Sequence, residues 1–207
     1  MTPAPNRWSG PAWRGRAVGL LGGSFNPAHD GHRHISLWAL KTLGLDFVWW
    51  LVSPQNPLKP VRGMAPLVQR LASARQAARH PRIIPAALES EIGARYTADT
   101  LAALRRRFPA THFVWLMGAD NLAQIPKWKA WRRIFDTVPI AVFARPGYGM
   151  GVLGGLAARR YARHRVAPRR ANGFAKRKPP AWTLMRNPLH TASSTAIRAA
   201  STAGSAT

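Results

Sequence analysis

Gly22-Gly23-Ser24-Phe25-Asn26-Pro27-Ala28-His29-Asp30-Gly31-His32 follows an apolar run at 17–21 and opens a helical pattern that begins near Gly31. Two glycines after a strand let the backbone turn tightly and bring N–H groups against a ligand, and a helix N-terminus just beyond adds partial positive charge for an anion. The stretch reads as a phosphate cradle. His29 and His32 stand three residues apart, so near a first helical turn their imidazoles point to one side and act as paired donors. Neither the glycine spacing of the dinucleotide fingerprint nor the Gly-Lys-Ser/Thr end of the P-loop is present, so the cradle is of a third kind.

Outward from this turn, short runs rich in Val, Ile, Leu and aromatics at 17–21, 47–52, 82–86, 112–117, 140–144 and 181–185 lack clean alternation. Such runs read as parallel strands buried on both faces. Helical patterns lie between them: 31–43 with Ile35, Trp38, Ala39 and Leu43 on one face, 66–79 with Leu67, Leu71, Ala74 and Ala78, 97–107 opened by a capping threonine, and 129–136. The β-α-β-α order predicts an α/β Rossmann-like fold, a doubly wound parallel sheet in a single domain, with ligands at the carboxyl ends of the strands. The unusual residues collect at those ends: 22–32, 53–60, Gly118-Ala119-Asp120 and Arg145-Pro146-Gly147.

The 207 residues suffice for one sizeable core. Residues 17–200 read as the domain, 1–16 as a disordered N-terminal tail without the apolar run of a signal peptide or membrane span, and 201–207 as a flexible C-terminal tail. The absence of cysteine removes disulfide and thiolate chemistry and fits a cytoplasmic protein. A formal charge of +24, from 31 basic and 7 acidic residues, implies attraction to polyanions. The arginines are scattered along the whole chain, so a compositional bias and a nucleic-acid role both account for them. Segment 159–180 concentrates nine of the basic residues with no acid and is expected to be a solvated basic loop or insertion, the other reading being an RNA-facing arm. Any nucleic-acid contact through this surface would be non-specific. The carboxylates Asp30, Asp46, Glu89, Glu91, Asp99, Asp120 and Asp136 are too few and dispersed for a protein-held metal or a two-carboxylate hydrolase. Chemistry here leans on cations and backbone donors.

Paired histidines can be metal ligands, core residues or phosphate donors. A metal needs further ligands that no cluster offers, and burial explains a lone histidine better than two beside a double glycine and a helix start. Near the other end, Ala192-Ser193-Ser194-Thr195-Ala196-Ile197-Arg198 sets small hydroxyl residues where a helix begins, with an arginine one turn on, as a second anion-binding terminus. Two such termini in one doubly wound domain suggest a polyphosphate held between them.

These two stretches resemble the GGSF-[DN]-P-x-H-x-G-H and I-S-S-T-x-I-R signatures of nucleotidyltransferases. The pieces between them, at 53–59, 95–101, 117–122, 126–128 and 143–148, are similar in order and spacing to the bacterial nicotinate-nucleotide adenylyltransferases. The resemblance spans about 17–199. It implies adenylyl transfer from ATP to nicotinate mononucleotide, with Mg²⁺ carried by the ATP phosphates. It assigns Gly22, Gly23, Ser24 and Phe25 to backbone contacts with ATP, and His29, His32 and Arg198 to the catalytic phosphate contacts. Ser194 and Thr195 would join Arg198 on the β and γ phosphates, with Gly118 and Asp120 beside the adenosine half. Asn26, Lys59, Thr97, Trp128 and Lys129 would serve nicotinate mononucleotide. A pocket made of the Trp128 face, Thr97 and backbone N–H groups offers donors and no acceptor for an amide, so it is expected to favour the acid over nicotinamide mononucleotide. Asn26 stands where many relatives carry Asp, and Ala192 where they carry Ile. Nicotinamide-mononucleotide or phosphopantetheine adenylyltransferases share both signatures, and an RNA-binding protein on this scaffold is the alternative from another class.

Overall fold

The computed structural model describes Trp8, residues 10–54 and residues 63–190. Within them the chain runs β1 (Ala17–Gly23), α1 (Asp30–Thr42), β2 (Phe47–Val52), α2 (Leu67–Ala78), β3 (Ile83–Ala86), α3 (Leu88–Glu91), α4 (Thr97–Arg107), β4 (His112–Gly118), α5 (Ala119–Gln124), α6 (Trp131–Thr137), β5 (Ile140–Phe143), α7 (Leu156–Arg160) and β6 (Trp182–Met185). The six strands are all parallel in the order β3-β2-β1-β4-β5-β6, the doubly wound sheet that the sequence predicts. Strand order reverses between β1 and β4, and the crevice outside their carboxyl ends is where open α/β sheets bind ligands.

Both faces of the sheet are covered. Successive strand residues point to opposite sides, so Leu20, Trp49 and Trp115 enter the core shared with α4, α5, α6 and α7, while Leu21, Trp50 and Leu116 enter the core shared with α1 and α2. This double burial is why the strands read as unbroken apolar runs. β1 outlasts its apolar run by two residues because its ladder with β2 continues through Gly22↔Leu51 and Gly23↔Val52. The glycines are therefore strand residues. At Gly22 an added Cβ would run into the ring of Trp115 on the neighbouring strand.

Two expectations need correction. The part of segment 1–16 that is described is packed against the sheet. Gly10–Trp13 forms a 3-10 turn, Trp13 is 5% exposed and meets Trp49 edge to face at 4.7 Å, and Gly15 N–H donates to the Ala110 carbonyl at 2.8 Å. Two isolated tryptophans supply enough apolar area to anchor a segment that has no apolar run. Segment 159–180 is likewise built in: Tyr161, Ala171, Phe174 and Ala175 are buried, Tyr161 stacks on Phe135 at 4.1 Å, and Gly173 N–H donates to the Leu43 carbonyl at 3.1 Å. Its anchors sit on or next to successive 3-10 turns and so follow no helical period. Its lysines and arginines all face solvent.

Candidate active site

β1 ends at Gly23, and Phe25, at φ +47° in the left-handed region, turns the chain toward α1. The Phe25 ring fixes this turn, buried between Trp50, stacked at 5.2 Å, and His32 at 4.6 Å. His29 is the N-cap of α1, and its Nδ1 accepts the Gly31 N–H at 3.1 Å. His32, at the third helical position, returns the arrangement by accepting the His29 N–H on its own Nδ1 at 3.3 Å. The spacing of the two histidines is thus that of a capping box, with imidazoles where Ser/Thr and Glu/Gln usually stand. A neutral imidazole that accepts at Nδ1 carries its hydrogen on Nε2. In both rings, 3.9 Å apart between centroids, the cap uses Nδ1 and not Nε2.

His29 is 6% exposed. Burial lowers its pKa to about 4, helped by the positive field of Arg145 and His190 and opposed by Asp30. At neutral pH it is an uncharged donor.

Beside the turn lies a cavity of about 500 Å³. Gly22, Gly23 and Ser24 form one wall. Thr97, at the start of α4, and Trp128 and Lys129, between α5 and α6, form another. The Lys129 ammonium lies 4.4 Å above the Tyr96 ring, which holds it at the cavity wall. Arg95 and Lys127 add two more cations to the lining. Asp120, at the start of α5, pairs with Arg145 at 3.4 Å and leaves Oδ1 buried without a hydrogen-bond partner among the described residues. Gly118 makes room for this pair, since a Cβ there would meet both the Asp120 carboxylate and the Arg145 side chain. Among the described residues no group of three or more His, Cys, Asp or Glu could hold a metal ion, and no helix is long and apolar enough to cross a membrane.

A family model described as cytidylyltransferase-like matches residues 20–200. A relative from Cereibacter sphaeroides, named a probable nicotinate-nucleotide adenylyltransferase, is 56% identical over 88% of this chain and 96% of its own. A relative of the same name from Ruegeria pomeroyi is 50% identical over 90% of this chain and 87% of its own. The chain belongs to the cytidylyltransferase-like family and, within it, to the nicotinate-nucleotide adenylyltransferases. Among solved structures, the nicotinic acid mononucleotide adenylyltransferase of Plasmodium falciparum complexed with NaAD shares the fold, with a TM-score of 0.67 at 16% identity over 89% of this chain and 83% of that one.

In this adenylyltransferase the residues picked out from the sequence, Asn26 apart, fall into three groups. Gly22, Gly23, Ser24, Thr97, Trp128 and Lys129 share the cavity. Phe25, His29, His32, Gly118 and Asp120 do not line it: the first three belong to the turn into α1 and the first turn of that helix, the last two to the junction of β4 and α5. Lys59, Ser194, Thr195 and Arg198 lie outside the described residues. Asn26 has a different occupation, because its Nδ2 donates to the Gly63 carbonyl at 2.8 Å and its Oδ1 accepts the Ala65 N–H at 3.2 Å. An aspartate could not make the first of these bonds, which gives the departure from the family pattern a physical reason.

Other cavity residues escaped the sequence reading. Trp115 lines the floor with its Nε1 buried and unpaired among the described residues. Glu89 also lines the cavity, 8% exposed, taking a hydrogen bond from Thr100 Oγ1 at 3.2 Å and one from the Ser53 side chain. Burial pushes its carboxyl up from the ordinary range, and the two hydroxyls pull back. The expected donor-only pocket thus contains a carboxyl. It was hidden because Ser53 and Thr100, which make its burial tolerable, are remote from it in sequence.

Proposed function

We propose that the chain transfers the adenylyl group of ATP to nicotinate mononucleotide, giving nicotinate adenine dinucleotide and pyrophosphate in NAD biosynthesis. A phosphate oxygen of nicotinate mononucleotide attacks the α-phosphorus of ATP, a new P–O bond forms, and the bond to the bridging oxygen of pyrophosphate breaks. The nucleophile is already an anion, so no general base is required, and catalysis consists of aligning two anions and neutralising the charge that shifts between them. The Nε2–H groups of His29 and His32 donate to oxygens of the transferring phosphoryl.

Gly22, Gly23, Ser24 and Phe25 offer the backbone around it, and Asp120 serves the adenosine half. Ser194, Thr195 and Arg198 take the departing pyrophosphate. Thr97, Trp128 and Lys129 take the pyridine half, with Lys59 at a phosphate. The donor set, rich in imidazole, guanidinium and backbone N–H, suits a Mg²⁺ that arrives on the triphosphate, where it neutralises phosphate charge.

The observation that carries this reading is the histidine capping box at the start of α1, reached directly from the Gly22-Gly23-Ser24 wall of the nucleotide-sized cavity. Pyrophosphate release with ATP and each of three acceptors tests it. Release with nicotinate mononucleotide well above that with nicotinamide mononucleotide or phosphopantetheine is expected. Release with phosphopantetheine alone, or with none, overturns it.

A further inference from the structure

Arg70 is the fourth residue of α2 and is 2% exposed. Its guanidinium makes four hydrogen bonds, all to backbone carbonyls: Nε to Ala65 at 2.8 Å, Nη1 to Ser24 at 2.6 Å and to Ser53 at 2.7 Å, and Nη2 to Pro54 at 2.8 Å. Among the described residues no carboxylate pairs with it. Burial alone moves its pKa, downward. An arginine taken out of water without a counter-ion is costly, and only an array of well-placed dipoles makes it tolerable.

The partners of that array give the arginine its meaning. Ser24 belongs to the turn after β1, Ser53 and Pro54 to the exit of β2, and Ala65 to the approach to α2. Arg70 therefore ties together the carboxyl ends of the adjacent strands β1 and β2. Ser24 and Ser53 line the cavity, and Arg70 itself does not. The Ser24–Phe25 peptide is trans, so a carbonyl held toward Arg70 turns the Phe25 N–H the opposite way, away from α2. Ser53 extends the linkage, since its N–H donates to the Gly23 carbonyl at 3.0 Å and its side chain bonds Glu89. Guanidinium is suited to this task because its donors diverge in a fixed plane, whereas an ammonium is a compact point that cannot span carbonyls from separate segments.

We infer that Arg70 is a positioning residue for adenylyl transfer: it fixes the peptide planes of the nucleotide-binding turn and ties them to the exit of β2. The inference rests on the function proposed above. It is tested by measuring kcat, both KM values and the melting curve for wild type, Arg70→Met, Arg70→Lys and a control, Val68→Gln, whose site on the same helix is 79% exposed.

Misalignment by about 1 Å costs on the order of 100-fold, so Arg70→Met is expected to lose about 100-fold in kcat while the KM for ATP stays within about threefold. Arg70→Lys should recover about tenfold of this, because it restores charge and some bonds without the planar fork. The control should match wild type. The inference is overturned if Arg70→Met keeps kcat within about twofold of wild type, or if its loss equals the fraction unfolded at the assay temperature. If Arg70→Met does not fold, Arg70→Lys decides by the same criteria. A wild-type protein that releases no pyrophosphate with nicotinate mononucleotide would instead overturn the functional reading.

Discussion

His29 and His32 cap one helix by serving each other: the Nδ1 of His29 takes a helix N–H, and the Nδ1 of His32 takes the N–H of His29. The same bonds that start α1 favour one tautomer, so the donors proposed for catalysis are set by secondary structure before any substrate arrives. In the proposed mechanism the polar demand of a helix N-terminus and the electrophilic demand of phosphoryl transfer fall on opposite atoms of the same rings.

That division of labour can be separated experimentally. Asparagine carries an acceptor about where His29 has Nδ1 and nothing at Nε2. His29→Asn should therefore keep the cap and the melting temperature while lowering kcat by about 100- to 1,000-fold, the usual effect of removing one such donor. His32→Ala should abolish turnover to a similar degree with the fold retained, as circular dichroism would report. Either variant with near wild-type turnover would detach the capping box from catalysis.

The pKa of His29 also makes a stability prediction. Its folded value of about 4 lies below its ordinary 6.5, so between these limits the unfolded chain binds a proton that the native protein refuses. This contribution to stability is complete above pH 6.5 and is lost as pH falls toward 4. Glu89 acts with the opposite sign: its raised pKa lets the folded state keep a proton, and that contribution fades as pH rises. Comparing wild type with His29→Asn at each pH cancels the Glu89 part. The melting temperature of wild type should fall relative to the variant across pH 6.5 to 4, and parallel curves would show that His29 titrates normally.

Asn26→Asp restores the residue of the wider family pattern and should destabilise this protein. The bond to the Gly63 carbonyl is replaced by an acceptor facing an acceptor, at a cost of about 1 kcal/mol, or roughly 2–4 °C in melting temperature for a chain of this size. An unchanged melting temperature would mean that the 63–65 turn does not depend on this bond.

The sheet was legible because its strands are buried on both faces, which makes each one a compact apolar run. The turn at 22–32 was legible as a strand-to-helix junction because a double glycine after an apolar run and a helix pattern just beyond it mark one. What escaped has a common physical origin in pairing across long sequence separations. Trp13 and Phe174 are single anchors outside any period. Arg70 falls on the face of α2 that carries the buried Ala74 and Ala78, a visible anomaly in a helix pattern, yet its carbonyl partners become apparent only when β1 and β2 lie side by side. The capping box was hidden by its chemistry, since imidazole is an unusual cap.

Glu89 lines the cavity proposed to take the pyridine half, which makes the choice of pyridine a test of its place there. Nicotinate carries a carboxylate and nicotinamide an NH₂, so an ionised Glu89 in the same cavity repels the first and can accept from the second. A protonated Glu89 does neither and can itself donate. Burial raises its pKa, and the Ser53 and Thr100 hydroxyls limit the rise. Preference for nicotinate mononucleotide, measured as the ratio of kcat/KM values, should therefore be largest at low pH, at least about tenfold, and should narrow as pH rises through the pKa of Glu89. The phosphate common to both acceptors cancels from the ratio. Glu89→Gln removes the charge at every pH and keeps a donor, so its ratio should be high and flat. A wild-type ratio that does not change with pH, matched by the glutamine variant, would mean that Glu89 supports Ser53 and Thr100 without facing the pyridine. Discrimination would then rest on Thr97, Trp128 and Lys129 alone.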